Sequence, residues 1–576
     1  MNPRHPVPFI LSSILGFTLL LTACTGNVDA RCEDAADPAC QDGSPSDKPL
    51  PGTPPGHGDD TGPDEEPPDT TEPGVEPPPE VTDPGDPPIG GEPPEAPSPP
   101  SAPPGSNAGV GRPFDPDDYT RLWYVSTSGN DSASDAGTEA RPLRTIARAI
   151  SLVRPGEAVI IREGVYPERL RIEERDGTAD APITVRAAPG ETVVLRGRSG
   201  GDSASRNVID VRRAHWHFDG LTLDLNGDPA FAILWREGGN HGVLRNSVAK
   251  NGTAGAGVNV AHGASNILIE NNRIHNFSKP SDDSHGVFVQ PRSSRVIVRR
   301  NVIHDNSGDA VQCIGSEGGA AESGTPFDDL LIEDNVLHDN LENGVDIKTC
   351  TRIVIRGNDL YGHLPKSTSK GEAIVVHMSA SDVRVEENRF WNNGRAISIG
   401  GVTSGADPSN VVVRRNVMWS GNATNGGEAG GIRLANVNGV VVFHNTIHDM
   451  SGYCISYGSS GTSRDVTIVN NISSNCGLSV RAGTTTDRVF VDNNLYFNSG
   501  GALTFRLGNS QVNFDRWRND GGHDRESLQA DPRFVDARAQ DFRLAAGSPA
   551  LDRGTDVAEG FCGALPDLGA LESCPR

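Results

Sequence analysis

An asparagine that returns at one place in a short apolar pattern, aliphatic-x-x-Asn-x-aliphatic, limits this chain more than any other feature. It occurs at Asn246, Asn272, Asn301, Asn335, Asn358, Asn388, Asn416, Asn445, Asn471 and Asn494, with gaps of 23 to 34 residues. Each unit holds short runs that alternate apolar and polar, separated by Asn, Gly and Asp turns, as in "VIVRRNVIHDNSGDAVQC" and "VRVEENRFWNNGRAISI". A steady strand pattern with uneven gaps means loops of different length on a constant coil. Such a unit cannot bury its apolar face alone, so the units must stack into a solenoid. Asparagines at one coil position are then expected to form a ladder whose amides bond the backbones of neighbouring coils. The competing solenoid of leucine-rich repeats lacks its consensus here.

Charge divides the chain of 576 residues unevenly. The net charge is −25, but the segment from Arg31 to Thr120 holds 21 acidic and three basic residues, together with 25 of the 43 prolines. That segment ("PDEEPPDTTEPGVEPPPE") cannot bury apolar surface and reads as an extended, self-repelling tether. From Arg121 onward the balance is −7, with no basic stripe to favour nucleic acid. Residues 1–23 read as a secretory signal, with Arg4 and His5 ahead of an apolar run from Val7 to Leu21. The expected organisation is a signal at 1–23, a linker at 24–120, an N-terminal cap and first coils at 121–199, repeats at 200–500 and a closing region at 501–576.

Three passages resemble known families. Leu21-Thr22-Ala23-Cys24 resembles the lipobox of bacterial lipoproteins, which implies lipidation at Cys24 and export to the outer membrane or cell surface, since residue 25 is Thr rather than Asp. "LWYVSTSGNDSASDAGTEARPLRTIARAISLVRPGEAVIIREGVYPERLRI" resembles the N-terminal module of secreted right-handed parallel β-helix proteins of the pectin-lyase type. In that family a short helix covers the open end of the solenoid, where strand edges would otherwise stay unpaired. "DPRFVDARAQDFRLAAGSPALDRG" resembles the phrase that closes the solenoid. The resemblance spans residues 121–576 and implies an all-β, single-stranded right-handed parallel β-helix. Export agrees with the cysteines, whose spacing suggests Cys32 with Cys40, Cys313 with Cys350, Cys454 with Cys476, and Cys562 with Cys574.

Aligning the strand that follows each turn ("SHGVFVQP", "GDAVQCIG", "NGVDIKTC", "GEAIVVHM", "GRAISIGG", "GGIRLANV") places Val287, Val311, Val345, Ile374, Ile397 and Ile432 inward. Three outward columns result. The first holds His285, Asp309, Asn343, Glu372 and Arg395. The second holds Phe288, Gln312, Asp346, Val375, Ser398 and Arg433. The third holds Gln290, Ile314, Lys348, His377, Gly400 and Ala435. Ionisable groups of both signs thus gather on the middle coils. Asp346 and Lys348, at i and i+2, point the same way.

Resemblance to parallel β-helix polysaccharide lyases, families six and nine included, implies β-elimination on an acidic, uronic-acid-containing polysaccharide. Such enzymes use a Lys or Arg base beside carboxylates that hold calcium. By that analogy Lys348, with its pKa lowered by nearby cations, is the base. Asp309, Asp346 and Glu372 are the calcium ligands. Arg395, Arg433 or His377 binds the uronate carboxylate or protonates the leaving oxygen, and His285, Gln290, Gln312 and Asn343 are substrate contacts. The long acidic calcium cluster of family nine is absent. One alternative is a non-catalytic glycan-binding or adhesion solenoid, with Trp391, Trp419, Tyr453 and Tyr457 offered to sugar rings. A second is an inverting glycoside hydrolase: Ser284–Gly286 and "GDAV" around Asp309 resemble polygalacturonase fragments, but in the opposite order and without the paired aspartates. The expected partners are an acidic polysaccharide and, through the N-terminal lipid alone, a membrane, with the protein a monomer.

Overall fold

The computed structural model describes residues 114–574, apart from 197–206, 280–282, 315–327, 367–368, 402–404, 423–428, 460 and 558–559. The signal, Cys24, most of the linker and the Cys32–Cys40 pairing lie outside the described residues. Among the described residues no helix is long and apolar enough to cross a membrane.

Alternation dictates the architecture. In Ser294–Arg299 the side chains of Val296 and Val298 are buried. They stand in register with Leu330 and Ile332, then Ile353 and Ile355, Val383 and Val385, and Val411 and Val413 on successive coils. Repeating that register on three sides of each coil gives three sheets of 14 strands, which begin at Arg121–Val125, Leu170–Ile172 and Gly164–Tyr166. We call them the first, second and third sheet. Nearly all pairing is parallel, and the inward side chains form one core running along the solenoid. The chain is an all-β parallel helix, as its repeat predicts.

The asparagine ladder is present. Asn388 is typical: its Nδ2 donates to Ile355 O at 2.9 Å and to Asn416 Oδ1 at 3.0 Å, and its Oδ1 accepts from Asn358 N at 3.0 Å. The bonds run unbroken from Asn272 to Asn494. Asn246 is not a rung. It has a φ of +52°, and Ser247 takes the rung instead, donating its N–H to Asn272 Oδ1 at 3.0 Å. The pattern there is displaced by one residue, which turns the amide out of the stack.

A second ladder, of charge, runs over the first sheet. Arg186, Asp219, Arg245, Glu270, Arg299, Glu333, Arg356, Glu386 and Arg414 alternate in sign from coil to coil. Arg356 Nη2 lies 2.7 Å from Glu333, and Arg414 Nε 2.7 Å from Glu386. A slip by one coil would place like charges opposite each other, so the ladder specifies register.

At the N-terminal end the helix Ile146–Leu152 is capped by Thr145 and buries Ile146, Ala149 and Ile150 in the main core. At the other end Phe505–Leu507 pairs antiparallel with Ser510–Val512, and the helix Phe514–Gly521 packs Phe514 and Trp517 on the core. Disulfides join Cys313 to Cys350, Cys454 to Cys476 and Cys562 to Cys574, the three expected pairs that fall within the described residues.

Candidate active-site groove

The outer face of the second sheet carries a cavity of about 920 Å³. The register confirms the three outward columns there. Gln312, Asp346, Val375, Ser398 and Arg433 are neighbours across strands, as are Lys348 and His377, and Glu372 and Arg395. Asp346, Lys348, Glu372, His377, Arg395, Arg433 and Asn343 all line the cavity. Each strand turns its aliphatic residues inward, so these polar side chains share one surface because they share one parity.

Asp346 is the centre of this surface. Its Oδ2 lies 3.0 Å from Lys348 Nζ, and its Oδ1 lies 2.8 Å from His377 Nε2. Burial alone would push the carboxyl up, but Lys348 and His377 together hold it below the usual carboxylate range. Asp346 in turn raises Lys348 well above an ordinary lysine, with Asp309 and Glu342 adding to the effect. This reverses the lowering that a lysine base needs. The sequence places cations along the same face, but the nearest charge to the ammonium is a carboxylate on its own strand.

Glu342, in the turn before this strand, completes the acidic end. Burial, then the charges of Asp309, Asp283 and Asp346, push its carboxyl up to about 9. Its Oε2 is buried and has no hydrogen-bond partner among the described residues. The group is therefore a neutral acid at neutral pH. Glu372 goes to a different partner: Arg395 Nη1 lies 2.8 Å from its Oε1, and Lys370 N donates to its Oε2 at 2.9 Å.

Asp309, Asp346 and Glu372 are therefore not one ligand set. Asp309 accepts from Gln312 Nε2 at 3.0 Å and from Asn343 Nδ2 at 2.9 Å. The ligating atoms that do stand within 4.8 Å of one another belong to His285, Asp309 and Glu342. Calcium takes six to eight oxygen ligands, and this group fits it poorly. One donor is an imidazole, whose Nδ1 already accepts the Asp309 N–H at 3.0 Å, and both Asp309 oxygens are engaged by amides.

His285 and Gln312 thus support Asp309 rather than line the cavity, and Gln290 lies away from it. The four aromatic candidates are placed elsewhere. Trp391 and Trp419 stack on each other in a column of rings on the third sheet, their centroids 5.1 Å apart, beside Phe542 of the closing region. Tyr453 and Tyr457 are buried, and Tyr457 Oη lies 3.2 Å from His523 Nε2. Four further residues line the cavity outside the strand alignment: Glu342, Lys370, Arg481 and Arg506. The last two continue the second column on "LSVRAG" and "LTFRLG", whose shared arginine is visible once those strands are added to the alignment.

Comparison with known proteins bears on this geometry. Residues 123–316 match the family model "Pel9A-like, right handed beta helix region", and residues 320–471 match "Right handed beta helix region". Both models describe right-handed β-helix regions, and together they span most of the solenoid. It is 25% identical over 473 residues to the uncharacterized protein YwoF of Bacillus subtilis, which covers 74% of this chain and 91% of that one. It is 32% identical over 130 residues to pectate lyase PEL9 of Emericella nidulans, covering 20% of this chain and 30% of that one. Among solved structures, pectate lyase Pel9A matches at 18% identity with a TM-score of 0.39, over 79% of this chain and 96% of that one. The PL6 family alginate lyase AlyGC matches at 15% identity with a TM-score of 0.43, over 77% of this chain and 60% of that one.

Proposed function

We propose that this β-helix cleaves an acidic, uronate-containing polysaccharide by β-elimination at the Asp346 centre. One observation carries the reading: a buried carboxylate touches both a lysine and a histidine, in a cavity that also holds a neutral carboxylic acid and a guanidinium. Elimination needs three things. The uronate carboxylate must be neutralised so that the proton beside it becomes acidic, a base must remove that proton, and an acid must protonate the leaving glycosidic oxygen.

Lys348, kept charged by Asp346, and Arg395 supply positive charge for the carboxylate. His377, whose Nε2 lies 2.8 Å from Asp346, takes the proton. Glu342, kept neutral by its acidic neighbours, hands its proton to the leaving oxygen as the carbon–oxygen bond breaks. A double bond forms in the new non-reducing sugar, and no water is consumed. The reading uses no calcium, because the donor set fits that ion poorly. Export and anchoring through Cys24 belong to the same reading and rest on Leu21-Thr22-Ala23-Cys24; labelling of the whole chain with a radioactive fatty acid, lost in Cys24→Ala, tests them.

The test of the chemistry is incubation with polygalacturonate, alginate and other uronans while the absorbance of the unsaturated product is followed. The expected result is a rising absorbance with at least one polymer that His377→Ala lowers by roughly two to four orders of magnitude. An unchanged rate in His377→Ala overturns the base assignment, and flat absorbance with every polymer overturns the reading.

A further inference from the structure

The cavity changes character away from Asp346. It is lined by six cations, Lys348, Lys370, Arg395, Arg433, Arg481 and Arg506, and by three carboxyl groups, Glu342, Asp346 and Glu372. All three acids sit on the N-terminal coils of the site. Towards the C-terminal end the second sheet presents Arg433, Ser456, Arg481 and Arg506 in one register column. Neighbouring strands lie about 4.8 Å apart, so Arg481 follows Arg433 by about 9.6 Å and Arg506 follows by about 4.8 Å more.

Hydroxyl groups are among the partners of two of these guanidinium groups. Arg433 Nη1 donates to Ser398 Oγ at 3.2 Å, and Arg481 Nε donates to Ser456 Oγ at 3.1 Å while its guanidinium lies 4.2 Å over the Tyr453 ring. Arg506 Nε is buried and has no acceptor among the described residues. The wall beside the column is glycine-rich, with Ser459, Thr484, Thr485 and Asn509 among the glycines. A Cβ on Gly401, whose φ is +99°, would stand 2.6 Å from Arg433 Nη1, and a Cβ on Gly483 would run into the Gly458 carbonyl. With only small side chains among those glycines, the wall leaves room for a bulky ligand beside the arginines. Arginine is also the side chain whose planar fork matches carboxylate or sulfate groups.

We infer that Arg433, Arg481 and Arg506 form a row of anion subsites that grips successive acidic groups of a glycan running from the Asp346 centre towards the C-terminal end of the solenoid. The row rests on the proposed function only for where that glycan is cut; its binding stands or falls separately.

Calorimetry on the full chain tests it, with trimers and hexamers of galacturonate, mannuronate and guluronate, and with methyl-esterified galacturonate hexamer as the uncharged control. The expected result is that at least one acid hexamer binds far more tightly than its trimer and than the ester. Arg481→Gln and Arg506→Gln should each weaken the hexamer about tenfold and the trimer less, while Arg506→Lys keeps part of the affinity. Each variant is first shown to keep the wild-type thermal transition. Binding of no acid hexamer, equal binding of acid and ester, or unchanged hexamer affinity in both glutamine variants overturns the row. Turnover with no effect of the two substitutions leaves the Asp346 reading standing and removes the row. Arginine-dependent binding without turnover supports the row and removes that reading.

Discussion

Replacing Glu342 by glutamine should make the protein more stable and less active, and the gain in stability should grow with pH. Glu342 titrates at about 9 in the folded chain against an ordinary 4.5. Between those two values the folded state holds a proton that the unfolded state has released. Stability therefore falls as pH rises through this window, by about 1.36 kcal/mol per pH unit. From pH 4.5 to pH 7 the wild type loses roughly 3 kcal/mol that the variant, with no proton to release, keeps. The amide also has N–H donors to offer to Asp309, Asp283 and Asp346, which crowd the wild-type carboxyl. Urea midpoints of both proteins at pH 5, 6, 7 and 8 read this directly. The midpoint difference should widen steadily in favour of Glu342→Gln, while uronan turnover falls because the proton donor is gone. A midpoint difference that stays flat with pH would show that Glu342 is ionised in the folded state, and its role as the acid would fall with it.

Other perturbations separate the parts of the account. Asn388→Ala removes a fully buried rung whose side chain makes four ladder bonds, and its loss should cost about 2–4 kcal/mol, read as a lowered urea midpoint. Gly401→Ala should displace the Arg433 guanidinium and raise KM for long uronans more than for short ones; equal changes at both lengths would contradict the close approach at Gly401. Turnover should survive a calcium chelator, because the grouped donors include an imidazole and an aspartate already bonded to two amides. A rate abolished by chelation and restored by calcium would contradict that fit.

The strand alignment was enough to identify the coil, because each property it used has a period that sequence displays. Val296 and Val298 alternate, their counterparts recur on every coil, and the asparagine marks one turn. The same parity argument sets Asp346, Lys348 and His377 side by side. What stayed hidden depends on distance rather than period. Asn246 fits the pattern, yet Ser247 carries the rung. Lys348 shares its face with Arg395 and Arg433, yet Asp346 lies 3.0 Å from its ammonium and reverses the expected shift. Glu342 sits in a turn, outside any strand alignment, and acquires its character from burial and then from Asp309 on the preceding coil. Trp391 and Trp419 are aromatic, the usual mark of a sugar platform, yet the register puts them on the third sheet under the closing region, where Trp419 is buried.

Elimination and hydrolysis differ by one molecule of water. The most direct measurement is the mass spectrum of fragments from a single uronate oligomer cut by the full chain, with His377→Ala as the blank. Elimination predicts two fragments whose masses sum to that of the intact oligomer, one of them carrying a double bond. Fragments that sum to the oligomer plus one water, or an oligomer left whole by the wild type across the uronans, would contradict elimination at Asp346, Lys348, His377 and Glu342.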